Sequence, residues 1–167
     1  MFEFRPLIDA DIPMLREWLA RRHVAEVWGD TPSEAELRAD YLSGTDQSSV
    51  AAFIAWLDGE PVGFIQSYVA AKSGDGWWPD ETDPGVLGID QFLADGSRLN
   101  RGIGTALVRA FAERLFADPS TTRVQTDPSP TNARAIRCYE KAGFRRAREV
   151  ETPDGPALLM LRERPST

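Results

Sequence analysis

The stretch Asn132–Phe144, which reads NARAIRCYEKAGF, predicts a short helix that ends in a glycine turn and enters a strand. Asn132 is suited to the N-cap because its side-chain oxygen can accept a hydrogen bond from the first turn. Gly143 is suited to the C-cap because it reaches the left-handed conformation without steric cost. The helix carries one tyrosine, Tyr139, one turn before its end. Taken alone, that tyrosine is equally consistent with a core aromatic residue.

An earlier segment, RLNRGIGT at residues 98–105, predicts a strand–turn–helix junction. A helix N-terminus offers unpaired N–H groups and a partial positive charge, which suit a pyrophosphate group. Gly102 and Gly104 would let the backbone approach phosphates without an intervening Cβ atom. The segment is not a P-loop, since no Gly-Lys-Ser/Thr follows, and not a Rossmann fingerprint, since the third glycine is missing. By itself the glycine pair is equally consistent with a flexible helix entry.

Local signals place further elements along the chain. Ser33 followed by Glu36 forms a capping box at the start of a helix that reaches Leu42. Asp9 or Asp11 can cap the preceding helix. The pair Asp58-Gly59 separates two β-rich runs and predicts a hairpin.

The predicted order of elements is β α α β β β α β α β β, within a single domain that spans residues 1–167. Strands are expected at 2–6, 50–57, 62–70, 86–93, 123–127, 144–150 and 157–161, and a long helix at 103–116. This order predicts an α/β (α+β) fold with a mixed, mostly antiparallel central sheet and helices on both faces.

Composition narrows the class of function. The net charge of −7 makes nucleic acid an improbable partner, since phosphate binding needs clustered Lys and Arg. A cationic substrate fits the charge better, although a negative surface that only keeps the protein in solution is the simpler interpretation. No apolar run is long enough for a membrane helix, and the single cysteine points to the cytoplasm. One histidine, His23, makes a His-based metal site improbable.

The segment from Asp75 to Asp95 is rich in carboxylates and contains the tryptophan pair Trp77-Trp78. No Lys or Arg falls between Lys72 and Arg98. Carboxylates pair with ammonium groups, and indole faces stack on sugar rings or attract cations. A substrate-contacting loop and a solvated loop are equally consistent with this composition.

Together, the two glycine-bearing segments resemble the acetyl-CoA-binding half of the GNAT acetyltransferase superfamily. Its pattern reads Q/R-x-x-G-x-G/A and, one strand and one helix later, N-x-x-A-x-x-x-Y-x-K-x-G-F. The matching positions are Gly102, Gly104, Asn132, Ala135, Tyr139, Lys141, Gly143 and Phe144. Leu99 stands where the pattern has Gln or Arg. That position contributes mainly backbone, and Arg98 or Arg101 could supply the side-chain contact with phosphate.

The chain resembles one group within the superfamily over nearly its whole length. Residues 74–91, 125–130, 134–144 and 152–157 resemble the type I aminoglycoside 6′-N-acetyltransferases. The N-terminal third is the loosest part, although Glu26, Trp28 and Gly29 still match. The implied activity is N-acetylation of the 6′-amino group of an aminoglycoside antibiotic, with acetyl-CoA as cosubstrate and no metal.

The resemblance also implies a role for individual residues. Asp90 corresponds to the acidic residue that faces the reacting amine, and Tyr139 to the tyrosine near the CoA sulfur, so these two are the expected catalytic residues. The backbone of Gln91–Leu93 is expected to hold the thioester carbonyl. The residues expected to bind acetyl-CoA are Gln91, Phe92, Leu93, Arg98, Leu99, Arg101, Gly102, Ile103, Gly104, Thr105, Asn132 and Lys141. Those expected to contact the substrate are Trp28, Asp75, Trp77, Trp78, Asp127 and Asp154.

Several alternatives stay open at this point. The acceptor could be another small polyamine or amino sugar, or the chain could be a non-catalytic CoA-binding module. Transfer is expected to be direct, in a ternary complex. Cys138 adjoins Tyr139, so an acetyl-cysteine intermediate is conceivable, but lone helical cysteines are usually small core residues. A monomer or a weak dimer is expected, with no membrane partner.

Overall fold

The computed structural model of the protein describes residues 1–43, 49–74 and 76–166. Within these ranges the strands are β1 (Phe2–Pro6), β2 (Ala51–Leu57), β3 (Glu60–Val69), β4 (Val86–Leu93), β5 (Arg123–Thr126), β6 (Arg145–Thr152) and β7 (Gly155–Glu163). The α-helices are α1 (Ile12–Leu19), α2 (Arg22–Trp28), α3 (Glu34–Leu42), α4 (Ile103–Phe116) and α5 (Ala133–Lys141). None of these helices is long and apolar enough to cross a membrane.

The strands form a seven-stranded sheet in the order β1-β2-β3-β4-β5-β7-β6. β1 pairs with β2, and β7 pairs with both β5 and β6, all in antiparallel fashion. β4 and β5 run parallel, and their register aligns Gly88 with Gln125. The predicted mixed, mostly antiparallel sheet of an α/β fold is therefore confirmed.

The chain groups into two compact units, each with its own buried side chains. The first comprises Met1–Gln66 and Gln91–Leu99, and the second comprises Ser67–Asp90 and Asn100–Thr167. In the first unit, residues of the helices such as Leu15 and Leu37 pack in one apolar cluster with Phe64 of β3. In the second, α4 buries Leu107 and Phe111 completely, as their spacing of one helical turn predicts.

Several elements have the bounds that the sequence predicts. β4 and α4 begin and end at the expected residues. The capping box of α3 is formed, since the Ser33 hydroxyl accepts from the Glu36 N–H at 3.1 Å and the Glu36 carboxylate accepts from the Ser33 N–H at 3.4 Å. The Asp58-Gly59 turn joins β2 to β3 with positive φ at both residues.

One local prediction was wrong, and another was confirmed only in position. The order of elements lacked α2, whose only buried residue is Val24, so the helix has no apolar periodicity to reveal it. Asp11 is the N-cap residue of α1, as expected, but its carboxylate makes no capping hydrogen bond there. Asp11 instead accepts from the backbone N–H of Ile8 at 3.0 Å, and Asp9 pairs with Arg38 at 2.7 Å. Short-range propensity cannot foresee the second contact, because Arg38 belongs to a different helix.

Candidate active site

Three aspartates that are distant in sequence form an acidic cluster in the second unit. Asp90 lies on β4, Asp127 directly follows β5, and Asp154 lies in the turn between β6 and β7. Because β4 and β5 are parallel and Gly88 is aligned with Gln125, Asp90 and Asp127 both lie two residues beyond that aligned pair. The parallel register thus brings these two predicted site residues together, and the charge of Asp154 also acts on Asp127.

The acidic cluster changes the protonation of its most buried member. Burial, followed by repulsion from Asp90 and then from Asp154, raises the pKa of Asp127 from 3.8 to about 8. Removing a carboxylate from water disfavours its charged form, and like charges nearby act in the same direction. Asp127 is therefore largely protonated at neutral pH in the ligand-free protein. A cation placed beside it would favour the ionised form.

Tyr68 of β3 borders the acidic cluster and was not foreseen from the sequence. Its ring lies across Gly88 of β4, where an added Cβ atom would overlap the phenol. Burial, and then the charges of Asp90 and Asp127, raise the pKa of the Tyr68 hydroxyl well above its usual value. Hydrogen bonding by Gln125 and Trp78 offsets part of this rise. The sequence signal that could have revealed the contact is the glycine two residues before Asp90, on the same face of β4.

The two adjacent tryptophans lie side by side near the acidic cluster. The rings of Trp77 and Trp78 are 6.4 Å apart and inclined at 44°, and both residues are half-buried. Trp78 has φ of 48°, an uncommon conformation for a bulky residue. The predicted substrate contact Asp75 lies outside the described residues.

Other carboxylates of the same loop have structural partners instead. Glu81 pairs with Arg123 of β5 at 2.5 Å. Asp83 accepts from the Thr122 hydroxyl and the Gly85 N–H, which lower its pKa. Although no Lys or Arg lies in this stretch of sequence, Arg123 of β5 thus neutralises one of its carboxylates. The acidic loop is therefore not uniformly available to a ligand.

Tyr139 lies on α5, the helix predicted from the opening segment. The Asn132 side chain caps this helix by accepting from the Ala135 N–H at 3.2 Å. Tyr139 is only 5% exposed and makes an edge-to-face contact with Phe144, whose ring is 5.7 Å away. A buried tyrosine at the end of α5 agrees with both readings of the sequence, the core aromatic and the catalytic residue.

Cys138, the neighbour of Tyr139, is poorly suited to nucleophilic chemistry. Burial raises the pKa of its thiol, and this outweighs the opposing effects of Thr105 and Lys141. The Thr105 hydroxyl contacts its sulfur at 3.7 Å. Since the thiolate is the reactive form of cysteine, this environment disfavours an acetyl-cysteine intermediate.

The glycine-bearing junction before α4 has an accessible backbone. Gly102 is the N-cap of α4 with φ of 81°, a conformation that requires glycine here. No heavy atom lies within 4 Å of the position that its Cβ would occupy. Ile103, Gly104 and Thr105 form the first turn of the helix. Exposed backbone at the N-terminus of a fourteen-residue helix fits a pyrophosphate group.

The charged residues predicted near this junction differ in their contacts. Arg98 of the first unit pairs with Glu60 at 3.3 Å. In the second unit Arg101 is exposed, and so is Lys141, whose backbone carbonyl accepts from Arg109. The predicted phosphate contacts of Arg98, Leu99, Arg101 and Lys141 stay predictions.

In the first unit, the end of β4 is held by two side chains to which the sequence assigned no such role. His23 Nε2 donates to the carbonyl of Leu93 at 2.8 Å, which places its proton on that nitrogen. Arg21 Nη1 donates to the carbonyl of Ala94 at 2.7 Å. Both contacts fix the segment Gln91–Leu93, which is expected to bind the thioester.

The predicted substrate residue Trp28 lies in the aromatic cluster of the same unit. Its ring makes edge contacts with Phe64 and Phe92, at centroid distances of 5.9 and 5.3 Å. Trp28 is half-buried, so part of its surface is accessible. Its contact with a substrate stays a prediction.

Comparison with known proteins agrees with this geometry. Residues 7–152 match the family described as the acetyltransferase (GNAT) domain. An aminoglycoside N(6′)-acetyltransferase type 1 of Klebsiella pneumoniae is 57% identical over 164 residues, which cover 96% of this chain and 82% of that protein. A crystal structure of the acetyltransferase AAC(6′)-Ib in complex with coenzyme A and kanamycin is 56% identical, with a TM-score of 0.93 over 98% of this chain and 95% of that one. AAC(6′)-Ib in complex with paromomycin and acetyl-CoA gives a TM-score of 0.94 at the same identity, over 98% of this chain and 93% of that chain.

Proposed function

Because the chain belongs to the GNAT acetyltransferase family, we propose that it is an aminoglycoside 6′-N-acetyltransferase that confers antibiotic resistance. In this reaction the 6′-amine attacks the thioester carbonyl of acetyl-CoA, a C–N bond forms and the C–S bond breaks. The amine loses a proton, and the CoA thiolate leaves and takes up a proton. The products are an acetamide and free CoA.

The observation that carries the proposal for the substrate is the acidic cluster of Asp90, Asp127 and Asp154. Burial of one member, and then repulsion within the cluster, raise the pKa of Asp127 and hold a proton on it at neutral pH. A molecule with several ammonium groups would relieve this repulsion, because each ammonium favours an ionised carboxylate. Aminoglycosides carry several such groups on rigid rings, whereas nucleotides and acidic metabolites would be repelled.

For the chemical step, we propose that Asp90 aligns the 6′-amine and passes its proton on. An alkylamine resembles lysine, with a pKa near 10.4, and an ordinary aspartate has a pKa near 3.9, so direct transfer would cost about 9 kcal/mol. Asp127, whose pKa is about 8, already carries a proton at neutral pH in the ligand-free protein and is not available as the acceptor. Asp90 therefore orients the amine, and a water molecule beside it accepts the proton.

Tyr139 is proposed as the acid that protonates the leaving thiolate. A tyrosine with a pKa near 10 gives its proton to a thiolate with a pKa near 8.5 at a cost of about 2 kcal/mol. The backbone N–H groups of Gln91–Leu93 are proposed to stabilise the oxyanion. Phosphates of acetyl-CoA are proposed to bind at the N-terminus of α4, where the open backbone at Gly102 supports the assignment. Thr105 lies in the first turn of α4, Asn132 caps α5 and Lys141 is its last residue, positions that agree with the proposed binding of the cofactor.

The deciding experiment is NMR of the product after incubation with acetyl-CoA and kanamycin, which reports activity and regiochemistry together. We expect acetylation at the 6′-nitrogen. Asp90→Asn and Tyr139→Phe should each lower kcat by at least about tenfold if they act in proton transfer. Asp80→Asn is a matched control, because Asp80 is an exposed aspartate in the loop that precedes β4.

Each outcome distinguishes this function from its competitors. No product with any amine would favour a non-catalytic CoA-binding module. A higher kcat/KM for spermidine than for kanamycin would favour a polyamine acetyltransferase. Full activity in both site variants would show that the roles assigned to Asp90 and Tyr139 are wrong, even if the function is right.

A further inference from the structure

We propose that the ion pair between Glu81 and Arg123 is a positioning element for the substrate, because it fixes the turn that directly follows the tryptophan pair. This inference rests on the proposed function, since it assumes that Trp77 and Trp78 contact an aminoglycoside. It assigns a role in recognition to a carboxylate that is already paired within the protein. All four residues belong to the second unit.

Trp78 has a backbone conformation that the local sequence disfavours. Its φ is 48°, in the left-handed region that bulky residues rarely adopt. The next residue is Pro79, whose ring further restricts the residue before it. Such a conformation persists only where the surrounding structure imposes it, and positions of this kind are concentrated at binding sites. We therefore looked for the contacts that impose it on Trp78.

Glu81 connects the turn after the tryptophan pair to strand β5. Its N–H donates to the Trp78 carbonyl at 3.0 Å and closes the turn. One oxygen of its carboxylate accepts from the N–H groups of Thr82 and Asp83, both at 3.1 Å. The other oxygen pairs with Nη2 of Arg123 at 2.5 Å. The carboxylate thus orders the backbone that follows Trp78 and attaches it to β5.

Further hydrogen bonds attach the rest of the loop to the start of the same strand. The Thr122 hydroxyl donates to the Asp83 carboxylate at 2.7 Å. The Thr122 N–H donates to the Gly85 carbonyl at 2.8 Å. Of these attachments, the pair of Glu81 with Arg123 is the closest in sequence to the tryptophans. Loss of this pair should therefore release the tryptophan turn while the end of the loop stays attached.

The ion pair itself contributes little to stability. The side chains of Glu81 and Arg123 are only 19% and 31% exposed, so both charges are largely removed from water. Among the described residues, Nε of Arg123 is buried and has no hydrogen-bond partner. Desolvation of two charges can offset their attraction, and an apolar pair of similar volume is often equally stable. Stability and positioning can therefore be separated by experiment.

The test replaces the ion pair by an apolar pair of similar volume, Glu81→Leu with Arg123→Met. We expect this double variant to unfold at the same urea concentration as the wild type. Its KM for kanamycin should rise about tenfold, because the tryptophan pair is no longer held in place before the substrate binds. Its kcat and its KM for acetyl-CoA should change less than about threefold, since only binding of the aminoglycoside is lost. Asp80→Asn, at the exposed neighbour of Glu81, is the matched control and should leave all three values unchanged.

A second measurement tests whether the ion pair acts through the tryptophan. In a Trp78→Ala background, the apolar pair should lower kcat/KM for kanamycin by less than about twofold further, because residues that act through one another have non-additive effects. The value of kcat/KM is accessible even when binding is weak. A further tenfold loss in that background would show that the pair does not act through Trp78, and would overturn the inference.

The remaining outcomes also decide the inference. An unchanged KM for kanamycin in the double variant, or an equal rise in KM for both substrates, would overturn it. If the double variant does not fold, Glu81→Gln decides, since it keeps the size of the side chain and an acceptor oxygen but removes its charge: no rise in KM for kanamycin overturns the inference. If the wild type acetylates no aminoglycoside, the proposed function fails. Calorimetric Kd values of wild type and double variant for kanamycin then decide the positioning role, and equal affinities or no binding overturn it.

Discussion

Replacing Asp127 by asparagine should stabilise the fold at alkaline pH while it impairs acetylation. The pKa of the wild-type carboxyl is about 8 in the folded protein and near 3.8 in the unfolded chain. At neutral pH the carboxyl is therefore mostly protonated in the folded protein and ionised in the unfolded chain. Below about pH 4 both states bind the proton and the group contributes nothing. As the pH rises towards 8, the unfolded chain loses its proton first, so the free energy of unfolding falls. Asparagine has no such titration.

The size of this effect follows from the shift in pKa. A rise from 3.8 to about 8 corresponds to an upper limit of about 6 kcal/mol at high pH. Relaxation and entry of water reduce such penalties in proteins, so we expect the stability difference between Asp127→Asn and wild type to grow by about 2–4 kcal/mol between pH 5 and pH 9. The penalty belongs to the whole acidic cluster, because Asp90 and Asp154 contribute to it.

The assay is urea unfolding of both proteins at pH 5, 7 and 9, with the midpoint and the m-value followed by circular dichroism. Asp80→Asn serves as the control, because Asp80 is an exposed carboxylate outside the acidic cluster. Adding kanamycin should narrow the gap, because ammonium groups stabilise the ionised wild-type carboxylate. A stability difference that is constant across this range, or that shrinks as the pH rises, would refute the reasoning.

Four further substitutions test separate parts of the structure. Gly88→Ala should lower kcat/KM for kanamycin at least about tenfold and destabilise the fold by about 1–3 kcal/mol, since its Cβ atom overlaps the Tyr68 ring; unchanged kinetics would contradict the contact. Cys138→Ala should keep kcat within about threefold of wild type, because the thiol is held in its unreactive protonated form; loss of turnover would revive an acetyl-cysteine route. His23→Ala should raise the KM for acetyl-CoA several-fold and leave that for kanamycin unchanged, since it releases the Leu93 carbonyl; titration calorimetry with CoA checks this. Ser33→Ala should lower the free energy of unfolding by about 1 kcal/mol through loss of the α3 cap, with normal activity, as urea unfolding and a standard acetylation assay would show.

Much of the fold could be predicted because its signals are local. The bounds of β4 and α4, the capping box at Ser33 and the N-cap at Asn132 depend on residues only a few positions apart. α2 could not be predicted, because a helix with a single buried side chain has no hydrophobic periodicity in its sequence. Asp9 was assigned to the wrong partner for a related reason, because its ion pair with Arg38 joins two helices.

The candidate site, like the fold, could be predicted from the sequence only in part. Sequence resemblance named Asp90, Asp127 and Asp154, but it could not show that these three residues form one cluster. The loop carboxylates were treated as equivalent, although Glu81 is neutralised by Arg123. Tyr68 was missed altogether, since it has no motif of its own.

By itself, the sequence determined the order of most elements, the family and the reaction, because glycine turns, caps and apolar periods act over short distances. Only the tertiary structure decided which carboxylates form one cluster and which side chains surround it. Parallel pairing of β4 with β5 brings Asp90 beside Asp127, and Gly88 makes room for Tyr68. The pKa of Asp127 depends on burial and on charges contributed by β4 and the β6–β7 turn. Such a property exists only once the chain is folded, since water screens the same residues in the unfolded state.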